Sequence, residues 1–316
     1  MRARRFPPRS PYVVAAVDRN HGGRLAVARR LVTIAAGAGA DAVKFVVPAV
    51  GTLDSRLPLA AWEALRREAA GRLQFVLAPH DRPALALARR LKPDVYQVDP
   101  GVVSDLDLVG RIARERRPVL VVTAGTTSAT IGTAVRALRG CRIVLLHAVA
   151  ADVLAPGRAR LRYITWLANR FRTPVGYFGR EPGAGWSFVA ATMGAVVIEQ
   201  PLTLDHALPG PDHAAGVDPT ELRALVQGLK DLTIALAPVR DRRVFADELA
   251  VVEQHERSLV ARRAMRKGHL LRASDLDART TAEGISPRLL QWLTGRRLRY
   301  DVDAGDPMTF GLVEFE

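Results

Sequence analysis

The sequence predicts a (β/α)₈ barrel followed by a small, mostly β module, and three observations carry this. Eight short β-branched runs alternate with longer amphipathic stretches up to about residue 240, which matches the ~250-residue size of such a barrel. No Gly-x-Gly-x-x-Gly turn follows the first run, which argues against the doubly wound alternative. After residue 256 the segments shorten and turn signals crowd together at Lys267-Gly268, Gly284, Gly295 and Asp306-Pro307.

The expected strands are 12–17, 42–46, 73–78, 94–98, 118–123, 142–147, 174–177 and 195–199. Between them, helical periodicity covers 25–38, 59–70, 105–116, 127–138 and 158–171. The expected domains are a barrel over 1–240, a charged linker helix over 241–256 and a module over 257–316.

With 48% hydrophobic and 25% charged residues, the 316-residue chain can bury a sizeable core, which excludes intrinsic disorder. Its single cysteine, Cys141, excludes an intrachain disulfide framework and fits a reducing cytoplasm. No apolar run approaches the ~20 residues of a membrane helix, and the stretch after the basic start at 1–10 is too short for a signal peptide. The net charge of +14 would suit nucleic acid, but only four of the 46 basic residues are Lys. That Arg bias reads as genome-wide composition, and no zinc-finger, RNA-binding or basic-zipper pattern accompanies it. Neither nucleic acid nor a membrane is the expected partner.

Several segments, in one order from about residue 12 to 314, resemble the N-acetylneuraminate (sialic acid) synthase family. They are Asn20-His21-Gly22-Gly23, Gly37 through Phe45, Val197 through Asp205 and Gly210-Pro211-Asp212-His213. Arg257-Ser258-Leu259-Val260-Ala261, Lys267-Gly268 and Gly284-Ile285-Ser286-Pro287 resemble the antifreeze-like (SAF) domain appended to these enzymes. The resemblance implies condensation of phosphoenolpyruvate with a sugar aldehyde on a divalent metal, typically manganese. It also implies a dimer through the SAF domain, with the chain itself or with a paralogue.

The departures fall on the chemistry. The family's two metal-binding His lie in Gly-Tyr-Ser-Asp-His-Thr and Glu-Lys-His-Phe-Thr, and here Arg180 and Pro201 stand in their places. A guanidinium is a fixed cation and proline has no side-chain donor, so no metal cofactor is expected. Phosphate contacts fall at Ala78, Gln97, Pro100, Ala151 and Phe178, and an early family Glu falls at Ala16. Each lost charge-assisted bond removes ~1.5–3 kcal/mol.

The resemblance leaves a set of candidate ligand-binding residues: Asn20, His21, Lys44, Arg180, Asp212 and Arg279. Lys44 matches a phosphoenolpyruvate contact, Asp212 a sugar-hydroxyl contact, and Arg279 falls near an arginine that the SAF domain sends into a partner's site. Lys44 either faces a ligand anion or pairs with Glu199 or Asp18. His21 either touches substrate or closes a turn. His80, His147 and Asp18 lie at C-terminal strand ends and could form a new acid–base or metal set, although spacing alone does not bring them together. The expected function is that of a family member in carbohydrate metabolism that has lost the condensation and acts as a non-catalytic subunit or anion-binding regulator. The alternative is an enzyme of altered, metal-independent chemistry, in which Arg180 and Lys44 act on an anionic metabolite.

Overall fold

Runs of Val, Leu and Ile that are buried on both faces form parallel strands, because a strand covered on both sides has no use for alternation. The computed structural model describes residues 11–314 apart from 52–56, 211, 254 and 282, so the basic start at 1–10 and Pro211 lie outside the described residues. The strands are β1 (Tyr12–Ala16), β2 (Ala42–Val47), β3 (Gln74–Pro79), β4 (Val95–Val98), β5 (Val119–Val122), β6 (Ile143–His147), β7 (Val175–Phe178) and β8 (Val197–Pro201). Each pairs with the next, and β8 returns to β1, closing the predicted barrel.

Outside the barrel run α1 (Leu25–Ala38), α2 (Leu59–Ala69), α3 (Arg82–Leu91), α4 (Leu106–Ala113), α5 (Ser128–Ala137), α6 (Pro156–Ala159), α7 (Tyr163–Phe171), α8 (Gly185–Thr192) and α9 (Pro219–Ala235). Local chemistry sets their starts. Asp81 caps α3 by accepting from the Ala84 amide at 2.7 Å, and Asp218 with Glu221 forms a capping box at α9 just before Pro219. The single helix expected over 158–171 is instead two. Arg160 takes a left-handed conformation (φ 42°), which ends α6 and forces a new start at Tyr163.

Alternate strand residues point inward. The lower interior is apolar, with Val14, Val76, Leu120, Val144 and Val197 in one cluster. Towards the C-terminal ends it turns polar, with Lys44, Gln97 and Glu199 all buried. Ala16 sits level with Lys44 on one side and Pro201 on the other. A larger cavity of about 900 Å³ opens at the N-terminal end, around Arg66 and Asp94. In this architecture that end serves stability, and chemistry belongs to the other.

The chain divides into two units, Met1–Ala237 and Pro238–Glu316. The second begins with α10 (Ala246–Glu253), which is shorter than the linker helix expected over 241–256. Beyond it β9 (Arg257–Ala261) pairs antiparallel with β10 (Leu276–Thr280), and isolated bridges such as Met265 to Val302 extend the fold. Leu259, Met265, Leu271, Leu298 and Met308 fill its core. Asp275, buried there, accepts from Arg263 (2.8 Å), from the Arg272 amide (3.0 Å) and pairs with His269 (2.9 Å). Among the described residues, no helix is long and apolar enough to cross a membrane.

Candidate functional site

Lys44 extends from β2 into the barrel axis and is 1% exposed. Its ammonium lies 2.9 Å from Asp18 Oδ2, 3.4 Å from Glu199 Oε1 and 3.7 Å from Asp99 Oδ1. Gln97 ties two of these acids together, donating to Asp99 Oδ1 at 3.0 Å and to Glu199 Oε1 at 3.2 Å. His80 closes the outer side, 2.9 Å from Asp99 Oδ2, and the Phe178 ring lies 5.4 Å from the ammonium. Asp18, Lys44, His80, Asp99 and Phe178 line a cavity of about 600 Å³ at the C-terminal mouth.

The electrostatics follow from three carboxylates sharing one buried cation. Burial opposes the charge on Lys44, but Asp18, Asp99 and Glu199 outweigh it and hold the ammonium above the ordinary lysine range. An ammonium held this way lacks the lone pair that a Schiff base needs. Burial pushes the Asp18 carboxyl up to about 6 against the pull of Lys44, with Asp99 and Asp212 adding repulsion. Burial likewise pushes Glu199 up to about 7. Asp99 moves the other way: burial opposes its charge, but Lys44, His80 and Gln97 hold it below the usual carboxylate range.

Above this cluster, Arg180 spans the mouth. Its guanidinium donates to the Ala151 carbonyl at 2.5 Å and to the Asp212 carboxylate, whose other oxygen lies 3.6 Å from Arg19. One side chain thereby joins the loops after β6 and β8 to the end of β7. Beside it, Gly179 leaves room for Gln200 and Glu181, because a Cβ there would strike the Gln200 amide and come within 2.7 Å of Glu181 Oε2.

Of the expected ligand residues, Lys44, Arg180 and Asp212 meet at the mouth, although Asp212 is engaged by two arginines. Asn20 and His21 do not line the cavity. Asn20 donates to the Leu202 carbonyl at 2.9 Å, and His21 Nδ1 accepts from the Gly23 amide at 3.0 Å while its ring packs near Phe45. Burial lowers the His21 pKa to about 4, so the imidazole is neutral and serves the turn, which Gly22 and Gly23 complete at φ 52° and 71°. Arg279 lies in the second unit on β10, exposed and 3.7 Å from Asp277. His147 points away from the axis, with Nε2 2.8 Å from the Ala159 carbonyl and its ring stacked on Tyr163, so it does not join His80 and Asp18.

The residues at the family's metal positions do not fit a divalent ion. Arg180 brings a permanent cation already bonded to Asp212, and Pro201 brings no donor atom. Among the described residues the only group of three or more acids and imidazoles with converging ligand atoms is His206, Asp218 and Glu221, which lies outside the mouth cavity. Asp99 was not among the expected site residues. Its parity with Gln97 at the end of the β4 run, like that of Glu199 with Val197 on β8, places both acids on the inward face of the barrel.

Comparison with known proteins agrees with this fold. The NeuB family model matches residues 53–240, and the SAF domain model matches residues 256–314. The chain is 26% identical to an N,N'-diacetyllegionaminic acid synthase of Legionella pneumophila, covering 96% of this chain and 94% of that one. It is 24% identical to the human N-acetylneuraminate-9-phosphate synthase, covering 96% and 92%. The crystal structure of the spore coat polysaccharide biosynthesis protein SpsE from Bacillus subtilis shares the fold, with a TM-score of 0.67 at 24% identity over 97% of this chain and 96% of that one. Barrel, motif order and a family match over more than half the sequence converge: the chain belongs to the NeuB family of sialic-acid-type synthases and carries a SAF domain after its barrel.

Proposed function

We propose that this chain serves carbohydrate metabolism as a NeuB-family protein that no longer performs the metal-dependent phosphoenolpyruvate condensation, and that it binds a small polar molecule at its barrel mouth. The observation that carries this reading is the lock on Lys44, whose charge is consumed by Asp18, Glu199 and Asp99 at 2.9, 3.4 and 3.7 Å. Arg180 is likewise engaged by Asp212. A phosphate or carboxylate entering the mouth meets acids whose cations are already taken, so phosphoenolpyruvate has no charge-assisted anchor of the usual strength. The same pairing weakens the expectation of an anion-binding regulator. With Arg180 and Pro201 at the metal positions, the reading requires no divalent ion.

The test is product formation. Purified protein incubated with phosphoenolpyruvate, N-acetylmannosamine or a diacetamido-hexose, and Mn²⁺ is expected to yield no nine-carbon acid and no phosphate. Metal-dependent release of phosphate overturns the proposal.

A second reading, acid–base chemistry without a metal, is favoured by one observation. Asp18 and Glu199 are raised to about 6 and about 7, where a carboxyl can both hold and release a proton near neutrality. Turnover of a small metabolite that survives chelation and is lost in Glu199→Gln would select it.

We further propose that the protein works as a dimer, with itself or with a paralogue. Within the second unit, Val239, Val244, Phe245, Leu249, Val251 and Val252 lie exposed between residues 239 and 252, apolar side chains of the kind that a partner surface covers. Light scattering that returns a monomer at micromolar concentration, with no paralogue partner, counts against this.

A further inference from the structure

The excess of acid at the mouth specifies the ligand class, an inference that rests on the non-condensing reading above. Asp18, Asp99 and Glu199 surround one ammonium, and two of their oxygens, Asp18 Oδ1 and Glu199 Oε2, are buried without a hydrogen-bond partner among the described residues. Glu199 is wholly buried, and the Asp18 side chain is 12% exposed where it lines the cavity. The charged groups that face Asp18 are Lys44 on β2, Asp99 after β4 and Asp212 after β8. The two arginines of the mouth, Arg19 and Arg180, turn to Asp212 instead. Asp18 Oδ1 is thus a buried acceptor with no donor among the described residues, on a side chain that lines the cavity.

We infer that the cavity takes a small molecule through a primary ammonium group, which donates to Asp18 Oδ1. An ammonium is compact and needs only one free carboxylate oxygen. A guanidinium makes its strongest, two-pronged contact on a carboxylate open on both oxygens, and Asp18 Oδ2 is already held by Lys44. A bare Ca²⁺ needs six or more oxygens, and among the described residues the mouth acids bring no three ligand atoms together. Val46, Val122 and Phe178 offer an apolar wall for the carbon skeleton, within about 600 Å³.

Two sources supply this chemistry, an amino sugar with a free amine and an aliphatic polyamine, and calorimetry on the full chain separates them. The probes are mannosamine, N-acetylmannosamine, 1,4-diaminobutane and phosphoenolpyruvate. At least one of the amines is expected to bind about 10- to 100-fold more tightly than N-acetylmannosamine, the value of one charge-assisted bond. Asp18→Asn, with melting followed to verify its fold, is expected to remove that advantage. Affinity for 1,4-diaminobutane or mannosamine, whichever binds, rises from pH 5 to 6.5 as Asp18 ionises. Equal binding of mannosamine and its acetamide in the absence of diaminobutane binding overturns the inference, as does failure of both amines up to about 10 mM. In either case the non-condensing reading still stands. Only tight phosphoenolpyruvate binding followed by turnover removes that reading too.

Discussion

The Lys44 ammonium meets the Asp18 carboxylate at 2.9 Å, and this contact sits at the centre of a buried group with more acid than base. Lys44→Met keeps the volume but leaves Asp18, Asp99 and Glu199 without their cation. Breaking a buried ion pair from one side typically costs about 3–5 kcal/mol, so chemical denaturation at pH 7 should show a loss of that order. The same variant should recover much of it near pH 5, where protonation relieves the stranded acids.

Stability should fall as pH rises from 6.5 to 8. The folded state holds the Glu199 proton up to about 7, whereas an unfolded Glu gives it up near its ordinary value of about 4.3. A proton bound more tightly in the folded state stabilises at low pH, and that contribution is lost as pH climbs through 7. Below 6.5 the buried His21, lowered to about 4, acts in the opposite sense, so the clean window lies above it. Thermal melts across the window should slope downward in the parent and flatten in Glu199→Gln.

Arg180→Ala should loosen the mouth more than it lowers stability. The side chain is 16% exposed, and its loss frees the Ala151 carbonyl while leaving Asp212 to Arg19 alone. A cost of roughly 1–3 kcal/mol is expected. Hydrogen exchange should accelerate in residues 148–155 and 206–216, with the β-strands unchanged; uniform protection would refute the clamp.

In the second unit, Asp275→Ala removes the acceptor shared by Arg263, His269 and the Arg272 amide. A unit of this size has little core in reserve. Its NMR signals should collapse towards unfolded positions while those of the barrel persist.

Much of the barrel was legible because each strand is a short apolar run bounded by helix signals, and 42–46 or 142–147 needed no tertiary information. The break at Arg160 was not legible, since nothing in Arg predicts a left-handed backbone. Lys44 stood out as one of four lysines, and its alternatives, Glu199 and Asp18, proved to be simultaneous partners. Asp99 and Gln97 joined that group only because eight strands close, a relation that spacing along the chain does not encode. Arg180 was visible as a departure at a metal position, yet its partner Asp212 lies 32 residues further on and could be found only in three dimensions.

The Arg180 strut also bears on what a histidine in its place would cost. A His at 180 would give up the guanidinium bond to Asp212, leaving that carboxylate to Arg19 alone, while position 201 would still carry a proline with no donor atom. That change alone would therefore loosen the mouth without assembling a set of metal-binding donors. A molecule that enters this barrel has to be met by the charges the mouth already holds.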